Sequence, residues 1–581
     1  MRVILGLNLN HSDTSACLLV DGLLVGAVAE ERLGKRIKHS SEFPINAIKY
    51  LLNDNGVSLK DVDCVAIARN PRANISAKVR WSCQNLRLSV PAYLESMRRS
   101  GSTLHSISKL YEYLEVPKSF QKFKVIGVEH HLAHIASSYF TSGFDSRVVG
   151  FSYDASGDFV SAMLAHCEGQ EIRVKKRVFL PHSLGFFYTA ICQFIGFDKL
   201  AEEYKVMGLA PYGENAYSKE MNVLMKTLSG FGFELDQQYF KMHSGGQSGG
   251  LGPDGKQQLE TLYTDSMTSL LGPKCNRDDW SQRQKDLAKS AQVQFENVVI
   301  HCVNKGMQLS GCKNLVTAGG AALNGVANAR ILRECDVERA FTHPAAGDDG
   351  TAVGAAFYVW HSVLKNENRF ELLHASLGPK HGSKTIRTEL NQLRLDFVEF
   401  ESDECLIEEV VGLLADDKVV GWYQGRGEWG PRALGNRSIL ANPKCPDMKN
   451  IINSKIKKRE SFRPFAPSVL EEDVDKYFEQ NIKSPFMMHV VKFKSKYRNT
   501  FPAVTHVDGT GRIQSVSKVN NPKYYKLISK FRDVTGTGMI LNTSFNENEP
   551  VVDTPGQALA CFMRTDMDAI CLENFLVTKP R

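Results

Sequence analysis

The 581-residue sequence lacks long apolar runs, which excludes a protein built of membrane-spanning helices. The longest such run, Gly354 to Trp360, is far shorter than the roughly 20 residues that a spanning helix needs. The apolar stretch after Met1 is too short for a secretory signal and has no small-residue cleavage site, so we expect no signal peptide. The composition, 43% hydrophobic and 23% charged, excludes a mostly disordered chain.

The sequence also lacks the closely spaced cysteine pairs that bind zinc or carry out redox chemistry. The 13 cysteines are an odd number, and no two form a C-x-x-C pair. This excludes zinc fingers and thioredoxin-type redox sites, and a chain of this length does not need disulfide bonds for stability. We therefore expect a reduced, cytoplasmic protein of two or more domains.

The chain has little excess of either charge outside one stretch. The chain has 71 basic and 64 acidic residues, a net charge of +7. Residues 421–470 alone hold ten basic and three acidic residues, an excess as large as that of the whole chain. The balanced remainder argues against a broad nucleic-acid-binding face and predicts a local site for a polyanion.

Strand and helix patterns alternate along the chain, which predicts an α/β fold. A strand, a polar loop and a hairpin with the turn Asp21-Gly22 open the sequence, and a similar pattern returns at 148–179. This similarity suggests an internal duplication, although unrelated hairpins also look alike. Apolar spacing predicts a helix over 287–307, a strand over 314–318 and a helix over 351–359. The aperiodic stretch 365–384 is the predicted joint between domains at 1–370 and 385–581.

Two histidines and two aspartates are candidate metal ligands. His130 and His134 are four residues apart and share one face of a predicted helix, where two imidazoles can bind one ion. Stacked surface histidines would give the same spacing, and the missing glutamate of H-E-x-x-H excludes a zinc protease. Asp154 and Asp348 each follow a predicted strand and could complete a divalent-metal site or merely cap loops.

Two further regions are candidate sites for phosphate groups. Gly319-Gly320 and Asn324 form a turn between strand and helix, where a backbone can approach a nucleotide, but a plain turn has the same residues. In 421–470, arginines and lysines alternate with glycine, proline and aromatic residues, and such fixed guanidinium groups suit phosphate or carboxylate. A nucleic-acid groove and a solvated basic surface are the competing interpretations.

Motifs in order along nearly the whole chain resemble one family, the O-carbamoyltransferases of antibiotic, toxin and nodulation-factor biosynthesis. These motifs include His11-x-Asp13-x-Ser15, His130-His131-Leu132-Ala133-His134, Lys205-Val206-Met207-Gly208-Leu209-Ala210-Pro211 and Asn542-Thr543-Ser544-Phe545-Asn546. Two further blocks, Gly430-Pro431-Arg432-Ala433-Leu434-Gly435 and Arg463-Pro464-Phe465-Ala466-Pro467, are highly specific.

The resemblance implies a duplicated actin-hexokinase-like (ASKHA) N-terminal domain followed by a YrdC-like α/β C-terminal domain. It implies that the C-terminal domain makes carbamoyladenylate from carbamoyl phosphate and ATP, with Mg²⁺ as an optional companion of ATP. The N-terminal domain would then transfer the carbamoyl group to a hydroxyl of a small-molecule natural product.

The resemblance also assigns roles to residues, which we list by role. A divalent metal, with Fe²⁺ favoured, would be bound by His130, His134, Asp154 and Asp348. Catalysis at the hydroxyl would involve His11 and Asp13. The nucleotide in the N-terminal domain would contact Gly157, Gly319, Gly320 and Asn324. Carbamoyl phosphate and ATP in the C-terminal domain would contact Arg426, Arg432, Lys457, Arg459, Arg463, Asn542, Ser544 and Asn546.

Alternative functions stay open at this point. One is a tRNA-modifying carbamoyltransferase, and another is a nucleotide-binding actin-like protein without turnover. The lack of C-x-x-C excludes the zinc-finger-bearing hydrogenase-maturation relative. We expect a small-molecule hydroxyl acceptor as partner, neither nucleic acid nor membrane, and leave a homodimer open. The irregular segments 78–114 and 244–256 are expected to shape the acceptor pocket.

Overall fold

The computed structural model describes residues 1–9, 11–85, 108–117, 123–241, 248–251, 257–277 and 279–579. Much of the two segments expected to shape the acceptor pocket lies outside these residues. The chain forms two compact units, Met1–Leu372 and Leu373–Arg581. No helix among the described residues is both long and apolar enough to cross a membrane.

The first unit begins with a five-stranded sheet of order β3-β2-β1-β4-β5. Its strands are β1 (Val3–Asn8), β2 (Ser15–Val20), β3 (Leu23–Ala29), β4 (Cys64–Ile67) and β5 (Lys124–Gly127). Strand β1 is antiparallel to β2 and parallel to β4. The predicted turn is present, because Asp21 and Gly22 both have positive φ, 48° and 82°, as a tight two-residue hairpin requires.

A second sheet repeats this topology and confirms the internal duplication. Its strands are β6 (Val148–Gly157), β7 (Val160–Glu168), β8 (Glu171–Phe179), β13 (Asn314–Ala318) and β14 (Arg339–Thr342). Their order is β8-β7-β6-β13-β14, with an antiparallel three-stranded part followed by parallel strands, as in the first sheet. Two small ribbons, β9–β10 and β11–β12, lie between β8 and β13 in the chain (Met225–Thr227 with Phe233–Leu235, Ser248–Leu251 with Gln257–Leu259).

Eleven described helices accompany these sheets: α1 (Glu30–Leu33), α2 (Ile45–Asp54), α3 (Ile75–Gln84), α4 (His130–Tyr139), α5 (Leu184–Phe194), α6 (Glu203–Leu209), α7 (Ser218–Leu224), α8 (Asp265–Leu271), α9 (Gln282–Ser310), α10 (Gly325–Glu334) and α11 (Thr351–Tyr358). Helix α11 packs closely on α4, because a Cβ on Gly354 would lie only 1.7 Å from the carbonyl oxygen of Ala133. Helix α11 also approaches β1, where a Cβ on Gly6 would lie 2.3 Å from the carbonyl oxygen of Ala352.

The second unit is a nine-stranded mixed sheet, which agrees with the expected YrdC-like α/β domain. The order is β15-β23-β22-β16-β17-β21-β18-β20-β19. The strands are β15 (Val398–Glu399), β16 (Val420–Tyr423), β17 (Arg437–Ala441), β18 (Ala466–Leu470), β19 (His489–Lys492), β20 (Thr510–Val516), β21 (Met539–Ser544), β22 (Ala569–Leu572) and β23 (Phe575–Thr578).

Six described helices belong to this unit: α12 (Ser383–Gln392), α13 (Asp403–Ala415), α14 (Met448–Ile451), α15 (Val474–Tyr477), α16 (Pro522–Thr535) and α17 (Pro555–Arg564). Helices α13 and α16 bury Leu414 and Phe531 against Trp422 and Ile540 of the sheet. The core therefore lies beneath the glycine-rich stretch that joins β16 to β17.

Candidate functional site

Helix α4 carries the two candidate histidine ligands on one face. The carboxylate of Asp158, in the turn after β6, accepts a hydrogen bond of 2.9 Å from the backbone N–H of His130 and so caps the start of the helix. His130 and His134 face each other, with 3.0 Å between their Nε2 atoms. His131 turns away, because Ser152 and Val160 hold its two ring nitrogens at 2.8 and 3.0 Å.

Two carboxylates meet this histidine pair. Asp154 stands at the end of β6, and its Oδ2 lies 3.1 Å from Nε2 of His134. Asp348 precedes α11, and its Oδ1 lies 3.3 Å from Nε2 of His130 and 3.5 Å from Nε2 of His134. One atom from each of the four residues falls within 4.8 Å of all the others.

Glycines with little free space hold this cluster in place. A Cβ on Gly157 would lie 2.0 Å from the His130 ring, so only glycine leaves room for the imidazole. Gly319 has φ of 97°, and a Cβ there would lie 2.2 Å from the carbonyl oxygen of Tyr153. The N–H of Gly320 donates to Oδ2 of Asp154 at 2.8 Å. The predicted nucleotide-binding glycines therefore surround the cluster.

The electrostatics of the cluster favour a bound cation. Burial disfavours a protonated His134, but hydrogen bonds to Asp154 and Asp348 outweigh burial and raise its pKa to about 9. Burial would raise the pKa of Asp348, but the neighbouring imidazoles hold it well below its usual range. Two nitrogens and two carboxylate oxygens at this spacing fit a divalent ion such as iron, manganese or zinc.

His11 reaches the same cluster from the loop after β1. Its Nδ1 contacts Oδ2 of Asp348, and its ring centre lies 5.4 Å from that of His130. Burial opposes protonation of His11, but the charge and hydrogen bond of Asp348 outweigh it and raise the pKa. Ser12 adds a weaker hydrogen bond of 3.4 Å to the same carboxylate oxygen.

Asp13, the second residue that the resemblance assigns to catalysis, pairs with His39. It has φ of 57°, and its Oδ1 lies 2.9 Å from Nδ1 of His39. Burial lowers the pKa of His39, but the charge of Asp13 outweighs burial and raises the pKa to about 9. His39 was missed by the sequence analysis, because it lies in none of the motifs named there.

Asn324 caps a helix in this structure. Its Oδ1 accepts from the N–H of Ala327 at 3.2 Å and so begins α10. Its Nδ2 donates to Oε1 of Gln292 at 3.0 Å, and the amide of Gln292 returns a bond of 3.1 Å. Both ends of the Asn324 amide are thus engaged within the protein, and its predicted contact with a nucleotide would have to replace or share these bonds.

In the second unit, Lys457 is buried among polar partners at the end of β21. Its Nζ donates to Asn546 Oδ1 at 2.7 Å and to the carbonyl oxygens of Ser544 and Asn546. The hydroxyl of Ser544 donates to the same amide oxygen at 2.8 Å. The structure therefore brings Lys457, Ser544 and Asn546 together, as their motifs suggest.

Several other basic residues of the 421–470 stretch hold the protein backbone. Arg437 is fully buried, donates to four carbonyl oxygens and stacks on Tyr423. Arg426 donates to the carbonyl oxygen of Gly378 at 3.1 Å, and Arg459 to the amide oxygen of Asn453 at 2.8 Å. The ten basic residues are therefore not a single anion-binding face.

Arg432 and Arg512 are the strongest candidates for holding an anion. The Nε atoms of both are buried and have no hydrogen-bond partner among the residues that the structure describes. Burial and the charge of Arg512 hold the pKa of Arg432 well below its usual range, and burial and Arg463 lower that of Arg512 to about 10. Like charges kept this close need a counter-ion. Arg512 lies in β20, outside the basic stretch, and was missed by the sequence analysis.

Asn542 supports the loop that carries Arg432. Its amide nitrogen donates to the carbonyl oxygen of Ala433 at 3.2 Å, and Gln514 donates to that of Leu434 at 2.8 Å. Three backbone N–H groups of the same loop, among them that of Leu434 at 2.8 Å, donate to Oε1 of Glu428. Asn542, which lies in β21, therefore helps to position this loop.

Comparison with known proteins identifies the family of this chain. The family description "Carbamoyltransferase N-terminus" matches residues 3–357, and "Carbamoyltransferase C-terminus" matches residues 411–579. An uncharacterized protein of Synechocystis is 37% identical over 100% of this chain and 97% of its own length. Nodulation protein NolNO of Sinorhizobium fredii is 36% identical over 98% of this chain and 79% of its own length.

Among solved structures, a full-length HypF in a phosphate- and nucleotide-bound form overlaps 63% of this chain and 56% of its own, at 14% identity and a TM-score of 0.31. The two family descriptions together span most of the chain, in the same order as the two structural units. The chain is therefore a member of the carbamoyltransferase family, a family of transferases.

Proposed function

We propose that the protein is an ATP-dependent O-carbamoyltransferase that makes carbamoyladenylate in its second unit and transfers the carbamoyl group to an alcohol in its first unit. The observation that carries this proposal is the pair of half-buried arginines, Arg432 and Arg512, in a member of this family, because the Nε atoms of both are buried and have no hydrogen-bond partner among the described residues. Carbamoyl phosphate and ATP are polyanions, and together they would supply the counter-charge that these groups lack.

In the second unit, water would hydrolyse carbamoyl phosphate to carbamate and inorganic phosphate. An oxygen of carbamate would attack the α-phosphate of ATP, forming the mixed anhydride and releasing pyrophosphate. Arg432, Arg463 and Arg512 would stabilise the charge that moves onto the leaving phosphates. Lys457, held by Ser544 and Asn546, would add a fixed ammonium group to the same site.

In the first unit, His130, His134, Asp154 and Asp348 would hold a divalent metal, with Fe²⁺ favoured. When bound, such an ion supplies a positive charge that can hold the adenylate phosphate and polarise the carbamoyl carbonyl. Since Nδ1 of His11 faces Asp348, the proton of the acceptor hydroxyl would pass to Nε2 of His11. The acceptor oxygen would then bond to the carbamoyl carbon, and AMP would leave.

The first test measures pyrophosphate release from ATP on addition of carbamoyl phosphate, without any acceptor. We expect release by the wild type and a loss of roughly 100-fold or more in Arg512→Met, because a positive charge proposed to stabilise the leaving phosphates is removed. Arg498→Met is the matched control, since Arg498 lies at the surface and pairs with Glu479 at 2.9 Å. No pyrophosphate from the wild type, or equal rates in the two variants, would refute the proposal.

A further inference from the structure

Two buried imidazole nitrogens near the candidate metal site have no partner. They are Nδ1 of His134 and Nε2 of His343, and both side chains are fully buried. Neither atom finds a hydrogen-bond partner among the described residues of the chain. A buried polar atom without a partner costs free energy, so such a pair in one region calls for a physical explanation.

The backbone places His343 beside the helix face that carries His134. His343 follows β14, and its N–H donates to Oγ of Ser138 at 3.3 Å. Ser138 is one turn after His134 on α4, so the two residues share a face of the helix. Ser138 in turn donates to the carbonyl oxygen of Thr317 at 2.7 Å, which ties α4 to β13.

The hydrogen-bonding needs of the two imidazoles are complementary. Nε2 of His134 faces the two carboxylates and His130, so this nitrogen would bind the metal and Nδ1 would carry the hydrogen. Nδ1 of His343 lies 3.0 Å from the carbonyl oxygen of Ala345. When Nδ1 donates to that oxygen, Nε2 of His343 is a bare acceptor. The N–H of Ala345, 3.2 Å from the same Nδ1, can serve the other tautomer.

We propose that His343 is a positioning residue of the metal centre, and that its Nε2 accepts the Nδ1 hydrogen of His134 through one bridging water molecule. This inference rests on the metal site of the proposed function. The bond would fix the ring orientation and tautomer of His134 and increase the electron density that its Nε2 offers to the ion. His343 was not among the sequence candidates, because it lies outside the family motifs.

The test compares two variants of equal side-chain length, one with a strong acceptor and one without it. The full chain is stripped with a chelator, and its affinities for Co²⁺ and Zn²⁺ are measured by competition with a chromophoric chelator. We expect His343→Met to weaken binding by roughly 10- to 100-fold, while His343→Gln retains most of the affinity. The control His361→Met removes another buried imidazole of the same unit and should leave the affinity unchanged.

Equal affinity in the Met and Gln variants, whether high or low, would overturn the inference. If the Met variant does not fold, proton NMR of the Co²⁺-loaded wild type gives a second measurement. A ligand N–H signal that exchanges slowly with deuterium is expected for His134, and rapid exchange of every such signal would overturn the inference. A wild type that binds neither metal would overturn the site and the inference together. Metal binding without pyrophosphate release would refute the proposed function alone.

Discussion

At the scale of single residues, side-chain partners separate structural histidines from functional ones. His130 and His131 are adjacent, yet only His130 reaches the carboxylates, because Ser152 and Val160 engage both nitrogens of His131. Burial and the neighbouring His130 hold the pKa of His131 well below its usual range. A neutral, fully bonded His131 supports the turn between β6 and β7 and takes no part in the cluster.

His361 gives a prediction on acid stability. Burial lowers its pKa to about 4, and its ring stacks on Phe140 at 4.3 Å. A histidine in an unfolded chain has a pKa of about 6.5. Between that pH and about pH 4, His361 therefore binds a proton in the unfolded state but stays neutral in the folded state. The stability contributed by neutral His361 is complete above pH 6.5 and falls by about 1.4 kcal/mol per pH unit down to about pH 4.

The free energy of unfolding of the variant His361→Phe should therefore rise relative to that of the wild type as the pH falls from 6.5 to 4. The measurement is the free energy of unfolding by urea at several pH values. Phe140→Leu is the control, since it damages the same packing without a titrating group, and its deficit should not vary with pH. A constant difference between His361→Phe and the wild type would contradict the assignment.

Residue types and spacing led to the metal cluster, but not to every side chain around it. His130 and His134 are found from helical spacing, and Asp154 and Asp348 from their positions after predicted strands, although loop capping was the competing interpretation for the two aspartates. His39, His343 and Arg512 lie in no motif. Each is brought to its candidate site only by tertiary packing, which the sequence does not reveal. Arg437 shows the opposite case, a basic residue of the 421–470 stretch that the structure assigns to a structural role. It donates hydrogen bonds to backbone carbonyl oxygens, and the sequence does not reveal these contacts.

At the scale of elements, turn residues predict where two strands are joined, and capping residues determine where a helix begins and ends. The Asp21-Gly22 hairpin follows from turn chemistry alone. Helix α9 extends beyond the predicted 287–307, because Ser281 caps it with a bond of 3.3 Å to the N–H of Gln284 and Gly311, at φ of 66°, ends it. Its first residues are polar and carry no apolar period, so periodicity could not include them.

The contact between α4 and α11 gives a prediction at this scale. Gly354→Ala would place a methyl group 1.7 Å from the carbonyl oxygen of Ala133, so the two helices must separate. Because α4 carries both histidines and α11 follows Asp348, we expect weaker Co²⁺ binding together with a loss of stability of roughly 1–3 kcal/mol. Chelator competition and urea unfolding measure the two effects.

Gly412→Ala in α13 is the matched control, because no atom lies within 4 Å of its added Cβ. This change should stabilise the protein by about 0.5–1 kcal/mol, as alanine is the better helix former. Unchanged metal affinity in Gly354→Ala would show that the close helix contact does not set the site geometry.

At the scale of the whole molecule, the two proposed half-reactions draw on residues of different units. His134→Ala should therefore lose carbamoyl transfer but keep pyrophosphate release within about twofold of the wild type, since Arg432, Arg463 and Arg512 are unchanged. Transfer is followed by mass spectrometry of a panel of sugars, aminoglycosides and polyketide alcohols, and release by a coupled pyrophosphate assay. Loss of both activities in a folded His134→Ala protein would contradict this division.

The distribution of charge at this scale needs one refinement. The excess of basic residues in 421–470 is local, as the sequence indicates, but much of it donates hydrogen bonds to backbone carbonyl oxygens or pairs with carboxylates inside the second unit. Lys458, for example, pairs with Glu547 at 3.0 Å. The proposed anion site is thus smaller than the basic stretch and includes Arg512 from β20, which is distant in sequence.

The duplicated topology has a consequence for the order of assembly. Helix α4 directly precedes the second sheet in the chain, whereas Asp348 follows the last strand of that sheet, so the four donor atoms meet only after β6, β13 and β14 have paired. Contacts this distant in sequence form late in folding, since the intervening loop must close first. We therefore expect that a metal ion at this candidate site would bind after the unit has folded and would not nucleate its folding.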